Sequence, residues 1–175
     1  MRLLIIGVGV GIVLVFVAVS CYFRFGLAPV AVTAPAMPFE EMYANMALHA
    51  AIEKGAPKNA GFLPAEADLQ TGAHLYREHC AVCHALPDGV RTKVSDGEFP
   101  KPPLLLKGKG VTDDPPGETY WKVKNGIRMT GMPGFGNALS DRQIWDIAFV
   151  CAQADKLPAS VQTILNQPYK PDTGT

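Results

Sequence analysis

CAVCH, residues 80–84, is the stretch on which the fold of this chain depends. It places Cys80, Cys83 and His84 within five positions, in a sequence that has four cysteines in all. Two thiols and an imidazole at this spacing are compatible with a metal site, a redox-active dithiol or a covalent attachment point for a larger group. The surrounding sequence separates these alternatives.

The composition limits the chain to one globular core with extensions. It has 175 residues, of which 48% are hydrophobic, and a formal net charge of zero. A chain of this length fills one ordinary core rather than two. We expect no nucleic-acid partner.

Part of the hydrophobicity is concentrated at the N-terminus. Residues 3–23 contain no charge over 21 positions, between Arg2 and Arg24, which is long enough for a helix to cross a bilayer. We therefore predict that residues 1–25 form a transmembrane anchor. A cleaved signal peptide and a lipoprotein signal ending at Cys21 remain open alternatives. All three place the following residues on the periplasmic, non-cytoplasmic side, although one arginine at each end gives almost no charge asymmetry.

A tether and a helix follow, over residues 26–65. Residues 26–38 combine Pro, Ala and Gly, a composition that favours an extended, semi-stiff spacer. The next stretch predicts a helix over residues 39–54. Its stripe of side chains is expected to pack onto the core rather than bind a metal: Phe39, Tyr43, Met46 and Ala50.

The candidate domain extends over residues 66–160, and residues 161–175 are expected to form a tail. Helical periodicity leads from its start into CAVCH and recurs over residues 139–158, with Ser140 as N-cap, and a shorter helix is predicted over residues 118–126. No run alternates with period two, so we predict an all-α domain. Three or four short helices bury little core of their own, so something else is expected to fill the centre.

The alternatives for CAVCH can now be compared. A structural zinc site needs four protein ligands, and no histidine follows His84 in the chain. A thioredoxin-type dithiol follows a strand, whereas a helix leads into Cys80. The remaining interpretation is covalent attachment of haem c, in which Cys80 and Cys83 bind the vinyl groups and His84 binds the iron.

A second iron ligand is available in the glycine-rich stretch NGIRMTGMPGFG, residues 125–136. Met132 lies 48 positions after His84, between glycines and a proline that favour a fixed loop. A thioether opposite an imidazole gives a haem with a raised reduction potential. We predict Met132 as the ligand, with Met129 as the second choice.

These motifs, in this order, resemble the class I monohaem cytochromes c. The resemblance covers residues 66–160 and rests on the first helix with Gly72 and Tyr76, CAVCH, Pro102-Pro103-Leu104, the GMPGF stretch and an aromatic last helix. It implies a small helical fold around one covalent haem. It also implies that the first and last helices cross closely, through the following residues: Gly72 and Tyr76 with Trp145 or Phe149.

The resemblance further implies roles for residues around the haem. The carbonyl of Pro102 would accept a hydrogen bond from His84, and Leu104 would pack on the haem face. Tyr120 and Trp121 would donate hydrogen bonds to a haem propionate or else lie in the core. The loop over residues 85–101 is longer than in compact members of the family. It is either a partner-docking surface or a solvated loop, and we expect a solvated loop. Cys151 is expected to be a buried free thiol.

The expected function is electron transfer. With both axial positions filled by the protein, the iron keeps no open position for a small-molecule substrate. We therefore expect a membrane-tethered carrier of single electrons between a donor, such as a quinol-oxidising complex or dehydrogenase, and an acceptor, such as a terminal oxidase. The alternative is a haem subunit held permanently in a larger membrane oxidoreductase.

Overall fold

The computed structural model describes residues 1–107 and 114–169. Helices and loops make up the described part of the chain, as the sequence predicts. The chain divides into two compact units, Met1–Glu41 and Met42–Thr175.

The first unit is dominated by helix α1, Arg2–Arg24. An 18-residue window within its 23 residues has a mean hydropathy of 2.9 and is not buried, so by length and composition this helix is able to cross a membrane or to serve as a signal sequence. In the segment that follows, the hydroxyl of Tyr22 donates to the sulfur of Met37 at 3.7 Å. The carboxylate of Glu40 accepts from the backbone N–H of Met37, which fixes the start of the next helix.

The second unit contains seven helices in its described part. They are α2 (Glu40–Gly55, which begins in the first unit), α3 (Glu66–Leu75), α4 (Ala81–His84), α5 (Lys93–Gly97), α6 (Pro116–Asn125), α7 (Asp141–Ala152) and α8 (Ala159–Leu165). A π-helical turn, Tyr76–Cys80, joins α3 to α4. Helices α3, α6, α7 and α8 pack around one core.

Helix α7 is the centre of this core. Ser140 caps it as predicted, since its hydroxyl accepts from the backbone N–H of Gln143 and the Gln143 side chain accepts from the backbone N–H of Ser140. Eight consecutive residues of α7 are buried, from Ile144 to Cys151. Gly72 of α3 lies against the backbone of Asp146, and a Cβ at Gly72 would overlap that backbone. The predicted close crossing is therefore present, with Asp146 and Val150 nearest to Gly72.

Helix α2 packs on the unit by a different face from the one expected. Ile52 is only 3% exposed, whereas Tyr43 is 61% and Met46 is 57% exposed. Ile52 lies four residues after the half-buried Leu48, so these two side chains form the contacting face. The apolar stripe predicted from the sequence lies mainly on the outside.

Two helices were not predicted. Thr92 caps α5 by accepting from the backbone N–H of Ser95 at 3.2 Å, and its hydroxyl donates to the carbonyl of Val82. The loop over residues 85–101 is therefore partly folded onto the domain. Helix α8 lies in the expected tail, where Val161 and Leu165 are buried. Residues 170–175 of that tail lie outside the described residues.

Candidate functional site

A cavity of about 290 Å³ opens beside the CAVCH segment. Its walls come from the π-helical turn and α4, the start of the loop after α5, α6, the loop before α7, and α7 itself. The lining side chains used below are those of Cys80, Cys83, His84, Glu98, Pro102, Pro103, Leu105, Lys122, Met132 and Cys151. The lining thus brings together both thiols, the imidazole and one of the two candidate methionines.

The imidazole of His84 is oriented by the backbone. Its Nδ1 lies 2.8 Å from the carbonyl oxygen of Pro103. Because a carbonyl only accepts hydrogen bonds, Nδ1 carries the proton and Nε2 keeps its lone pair for a metal ion. Behind this segment, the hydroxyl of Tyr76 donates to the carbonyl of Ala85 at 2.9 Å and so fixes the end of α4.

The hydrogen bond expected at Pro102 is formed by Pro103 instead. The guanidinium of Arg91 donates to the carbonyl of Pro102 at 2.9 Å. Leu105 lines the cavity in place of the expected Leu104, which lies toward Gly89. The whole proline-x-leucine element is therefore displaced by one residue from the predicted register.

Burial shifts the pKa values on this wall of the cavity. It raises the pKa of the Cys80 thiol well above its usual range. Burial and the hydrogen bond to Glu98 raise the pKa of Cys83 to about 11. Burial lowers the pKa of His84, against the opposing effect of the Pro103 carbonyl. At neutral pH the imidazole is therefore neutral, which is the form that binds a metal ion.

A further part of the lining is the loop that carries Met132. The carbonyl of Met132 accepts from the backbone N–H of Ile127, and its own N–H donates to the hydroxyl of Thr130 at 3.1 Å. These bonds close the loop into a tight turn beneath the cavity. Met129 is 94% exposed and does not line the cavity. The structure therefore brings Met132, and not Met129, to the site.

Tyr120 and Trp121 do not line the cavity. The ring of Tyr120 is buried and stacks on Trp145 at a centroid distance of 4.5 Å, and its hydroxyl accepts from Lys124. A Cβ at Gly55 would lie 2.6 Å from the indole nitrogen of Trp121, so that ring packs at the end of α2. Tyr120 therefore lies in the core, and a hydrogen bond from either residue to a haem propionate stays a prediction.

Helix α6 presents other residues to the cavity. Thr119, Lys122 and Val123 line it, at the three- and four-residue spacing of one helical face. Lys122 also lies 3.6 Å from Asp114 and 3.9 Å from Glu118. The helical spacing within residues 118–126 is the sequence signal for this face. The roles predicted from the resemblance fall instead on Tyr120 and Trp121.

The sequence does not predict that two further residues, Cys151 and Glu98, line the cavity. Cys151 is a buried free thiol as expected, but it also lines the cavity. Burial raises its pKa to about 12, which keeps the thiol protonated and unreactive. Glu98, the residue directly after α5, accepts a hydrogen bond from the Cys83 thiol at 3.2 Å.

The lining fits a covalently bound haem. The thiols of Cys80 and Cys83 and the imidazole of His84 all line the cavity, as covalent attachment with a proximal ligand requires. Much of the remaining surface is apolar, from side chains such as Leu105, which suits a large planar ring. The thioether of Met132 supplies a further soft donor to the same cavity.

Comparison with known proteins agrees with this interpretation. A family model described as cytochrome c oxidase, cbb3-type, subunit III matches residues 67–149. Cytochrome c6 of Limnospira maxima is 36% identical over 90 residues, which cover 51% of this chain and 97% of that protein. Cytochrome c6 of Bumilleriopsis filiformis is 30% identical over 91 residues, which cover 51% of this chain and 96% of that protein. No solved structure matches the chain significantly.

The length over which the relatives align establishes the class of protein to which this chain belongs. A helical fold with a C-x-x-C-H cavity, together with relatives that align over almost their whole length, defines a c-type cytochrome. The chain belongs to the cytochrome c family. Membership implies covalently bound haem c, electron transfer and redox proteins as partners.

Proposed function

We propose that this chain is a membrane-tethered cytochrome c that carries single electrons between a respiratory donor and an acceptor such as a terminal oxidase. The observation that supports this best is the presence of His84 and Met132 in the lining of one cavity with both thiols. Ligation from two sides leaves the iron no position for a substrate. The sequence contains one C-x-x-C-H motif, which supports a single haem.

Each residue of the site has a defined task in this proposal. Cys80 and Cys83 hold the haem by thioether bonds, and His84 and Met132 bind its iron. Bound haem supplies a one-electron couple whose potential is raised by thioether ligation. Pro103 holds the His84 imidazole in one orientation and one tautomer through the bond to Nδ1. The apolar lining excludes water and limits reorganisation around the charge.

Replacement of each methionine tests the ligation. Met132→Ala is expected to abolish the methionine–iron band near the red edge of the visible spectrum, to lower the reduction potential and to open the reduced iron to carbon monoxide. Met129→Ala is the matched control, since Met129 lies three positions earlier in the loop and is 94% exposed. It should leave the spectrum and the potential unchanged.

Three outcomes would contradict the proposed ligation. An unchanged spectrum in Met132→Ala would show that another group binds the iron. Loss of the band in Met129→Ala would give the role to Met129. Carbon monoxide binding by the unmodified reduced protein would point to an enzyme or sensor with a displaceable ligand.

The membrane tether and its orientation are part of the proposal. Helix α1 supports them by its length and its apolar composition. Protease added to spheroplasts of a Gram-negative expression host should degrade the haem domain while leaving a cytoplasmic marker intact. Protection of the haem domain until the cells are lysed would overturn the periplasmic location.

A haem subunit of a larger complex is the second candidate. The description of the matching family model, a subunit of a cytochrome c oxidase, favours it. Mild detergent extraction of native membranes, followed by size separation and haem staining, distinguishes the two. A monomer that exchanges electrons with added redox proteins supports the carrier. Constant copurification with oxidase or dehydrogenase subunits supports the complex.

A further inference from the structure

Glu98 lies between the two walls of the haem cavity. On one side its Oε1 accepts a hydrogen bond from the Cys83 thiol at 3.2 Å. On the other side it faces Gly131, where a Cβ would lie only 2.7 Å from the same oxygen. Gly131 precedes Met132, so the missing side chain leaves room for the carboxylate beside the ligand loop. The Glu98 side chain is half-buried and lines the cavity.

Among the residues that the structure describes, no lysine or arginine forms an ion pair with Glu98. The two lysines of the cavity are engaged elsewhere: Lys101 pairs with Asp96 at 3.7 Å, and Lys122 pairs with Asp114. Covalent attachment of haem converts the Cys83 thiol into a thioether, which has no proton to donate, so the carboxylate then loses its hydrogen bond as well.

The carboxylate of Glu98 contacts Cys83, the residue directly before the ligand His84, and all three side chains line the same cavity. A positive charge on iron bound at His84 would therefore lie in the field of this carboxylate.

We propose that Glu98 lowers the reduction potential of the bound haem by holding an unpaired negative charge at the edge of the cavity. The oxidised site carries one more positive charge than the reduced site, so a nearby carboxylate stabilises the oxidised form. One electron enters from the donor, and no bond forms or breaks at Glu98. The residue tunes the site and does not ligate the iron. This inference rests on the proposed haem function.

The test is the potential of Glu98→Gln, in the full-length chain matured with haem and purified in detergent. A redox titration followed by visible absorption gives the equilibrium constant for one-electron reduction. We expect that constant to rise about threefold or more, which corresponds to about 28 mV at 59 mV per tenfold change. Glu98→Ser is a second neutral variant and should shift the potential in the same direction. Glu98→Asp keeps the charge and should stay closer to the original potential.

The matched control is Asp96→Asn. It removes the same charge from the same loop, two positions earlier, where the side chain is 58% exposed and paired with Lys101. Solvent and the paired lysine screen that charge, so its removal should change the constant by less than about 1.5-fold. An equal shift in Asp96→Asn would mean that the loop acts by its net charge and would overturn the specific role of Glu98.

The sign of the change in reduction potential distinguishes electrostatic tuning by Glu98 from structural support of the Met132 loop. If Glu98 merely held the Met132 loop in place, its replacement would weaken thioether ligation, remove the methionine–iron band and lower the potential. A lower or unchanged potential in both neutral variants therefore overturns the inference. Haem staining of the unmodified protein keeps the two proposals apart: absence of covalent haem overturns the proposed function, whereas haem with an unchanged potential overturns only this inference.

Discussion

Asp146 is a carboxylate in the most buried stretch of α7. It is 3% exposed, and within the described residues its Oδ1 has no hydrogen-bond partner. The Nε of Arg142 lies 3.3 Å from that oxygen but not in hydrogen-bonding geometry. Arg142 is shared with Asp68 of α3, the other carboxylate that faces this position. Burial, and then the charge of Asp68, raise the pKa of Asp146, while Arg142 opposes them.

The raised pKa of Asp146 predicts that its ionised carboxylate lowers the free energy of unfolding at neutral pH. A folded-state pKa above the unfolded value means that stability falls as pH rises from the unfolded pKa through the folded one, and the cost persists at pH 7. Asp146→Asn is therefore expected to increase the free energy of unfolding at pH 7 by about 1 kcal/mol. Urea unfolding of the full-length chain, followed by circular dichroism at pH 7 and pH 4, measures the difference.

The pH dependence provides the control for Asp146→Asn. At pH 4 the advantage of the variant should shrink, because a raised pKa leaves more of the original carboxyl protonated there than at pH 7. Asp68 changes in the opposite sense, since the bond to Arg142 lowers its pKa and its stabilisation is lost as pH falls. A variant that is less stable than the original chain at pH 7 would show that the pairing with Arg142 outweighs the burial.

At the residue scale, the sequence pattern does not predict which proline carbonyl accepts the hydrogen bond from His84. The run Pro-Pro-Leu-Leu-Leu, residues 102–106, contains two overlapping proline-x-leucine patterns. Nothing in the pattern chooses between them. A residue outside the run distinguishes the two patterns in the structure. Arg91 donates a hydrogen bond to the carbonyl of Pro102, whereas His84 donates one to the carbonyl of Pro103. By contrast, the placement of Met132 could be predicted, because its flanking glycines and proline constrain the loop locally.

At the scale of elements, the crossing of α3 and α7 depends on Gly72. A Cβ at this position would overlap the backbone oxygen of Asp146 and lie 2.9 Å from a methyl group of Val150. Backbone cannot move aside as a flexible side chain can, so the two helices would have to separate. This crossing also supports the cavity, because Ile147 and Cys151 line it from the same helix.

Gly72→Ala is therefore expected to destabilise the fold by about 1–3 kcal/mol or more. The helix propensity of alanine works in the opposite direction, so a loss would reflect the crossing itself. Gly97→Ala is the matched control, because nothing lies within 4 Å of a Cβ at that position of α5. Denaturant unfolding of both variants measures the difference. Equal stability of the two would contradict a tight crossing.

The helices differ in how well the sequence predicts them. Those with a local cap or a long periodic run, such as α7 with Ser140, could be placed closely from sequence alone. Helices α5 and α8 have five and seven residues, too short for a periodic pattern to be distinguished from a loop. They are held by contacts distant in sequence, such as the bonds from the Arg77 guanidinium to the carbonyls of Gln167 and Pro168.

At the scale of the whole molecule, the chain joins an apolar helix to a cytochrome domain. The 23 residues of α1 correspond to about 34 Å of helix, against about 30 Å of hydrocarbon in a bilayer. The relatives named above align with only 51% of the chain, so their similarity does not bear on this helix. An anchor and a signal peptide differ in whether α1 is present in the mature protein.

A charge at the centre of α1 tests the anchor directly. Val13→Arg is expected to release the protein from membranes or to prevent its insertion, since arginine at the centre of a spanning helix costs about 2.5–3.5 kcal/mol. Val30→Arg places the same charge in the spacer, at a side chain that is 92% exposed, and should leave the protein in the membrane. Carbonate extraction with haem staining measures the distribution, and the mass of the mature chain shows whether α1 is retained. If Val13→Arg stays in the membrane with α1 intact, the haem domain is held there by a partner. A mature chain that lacks α1 and is released from the membrane would instead identify a signal peptide and a soluble carrier.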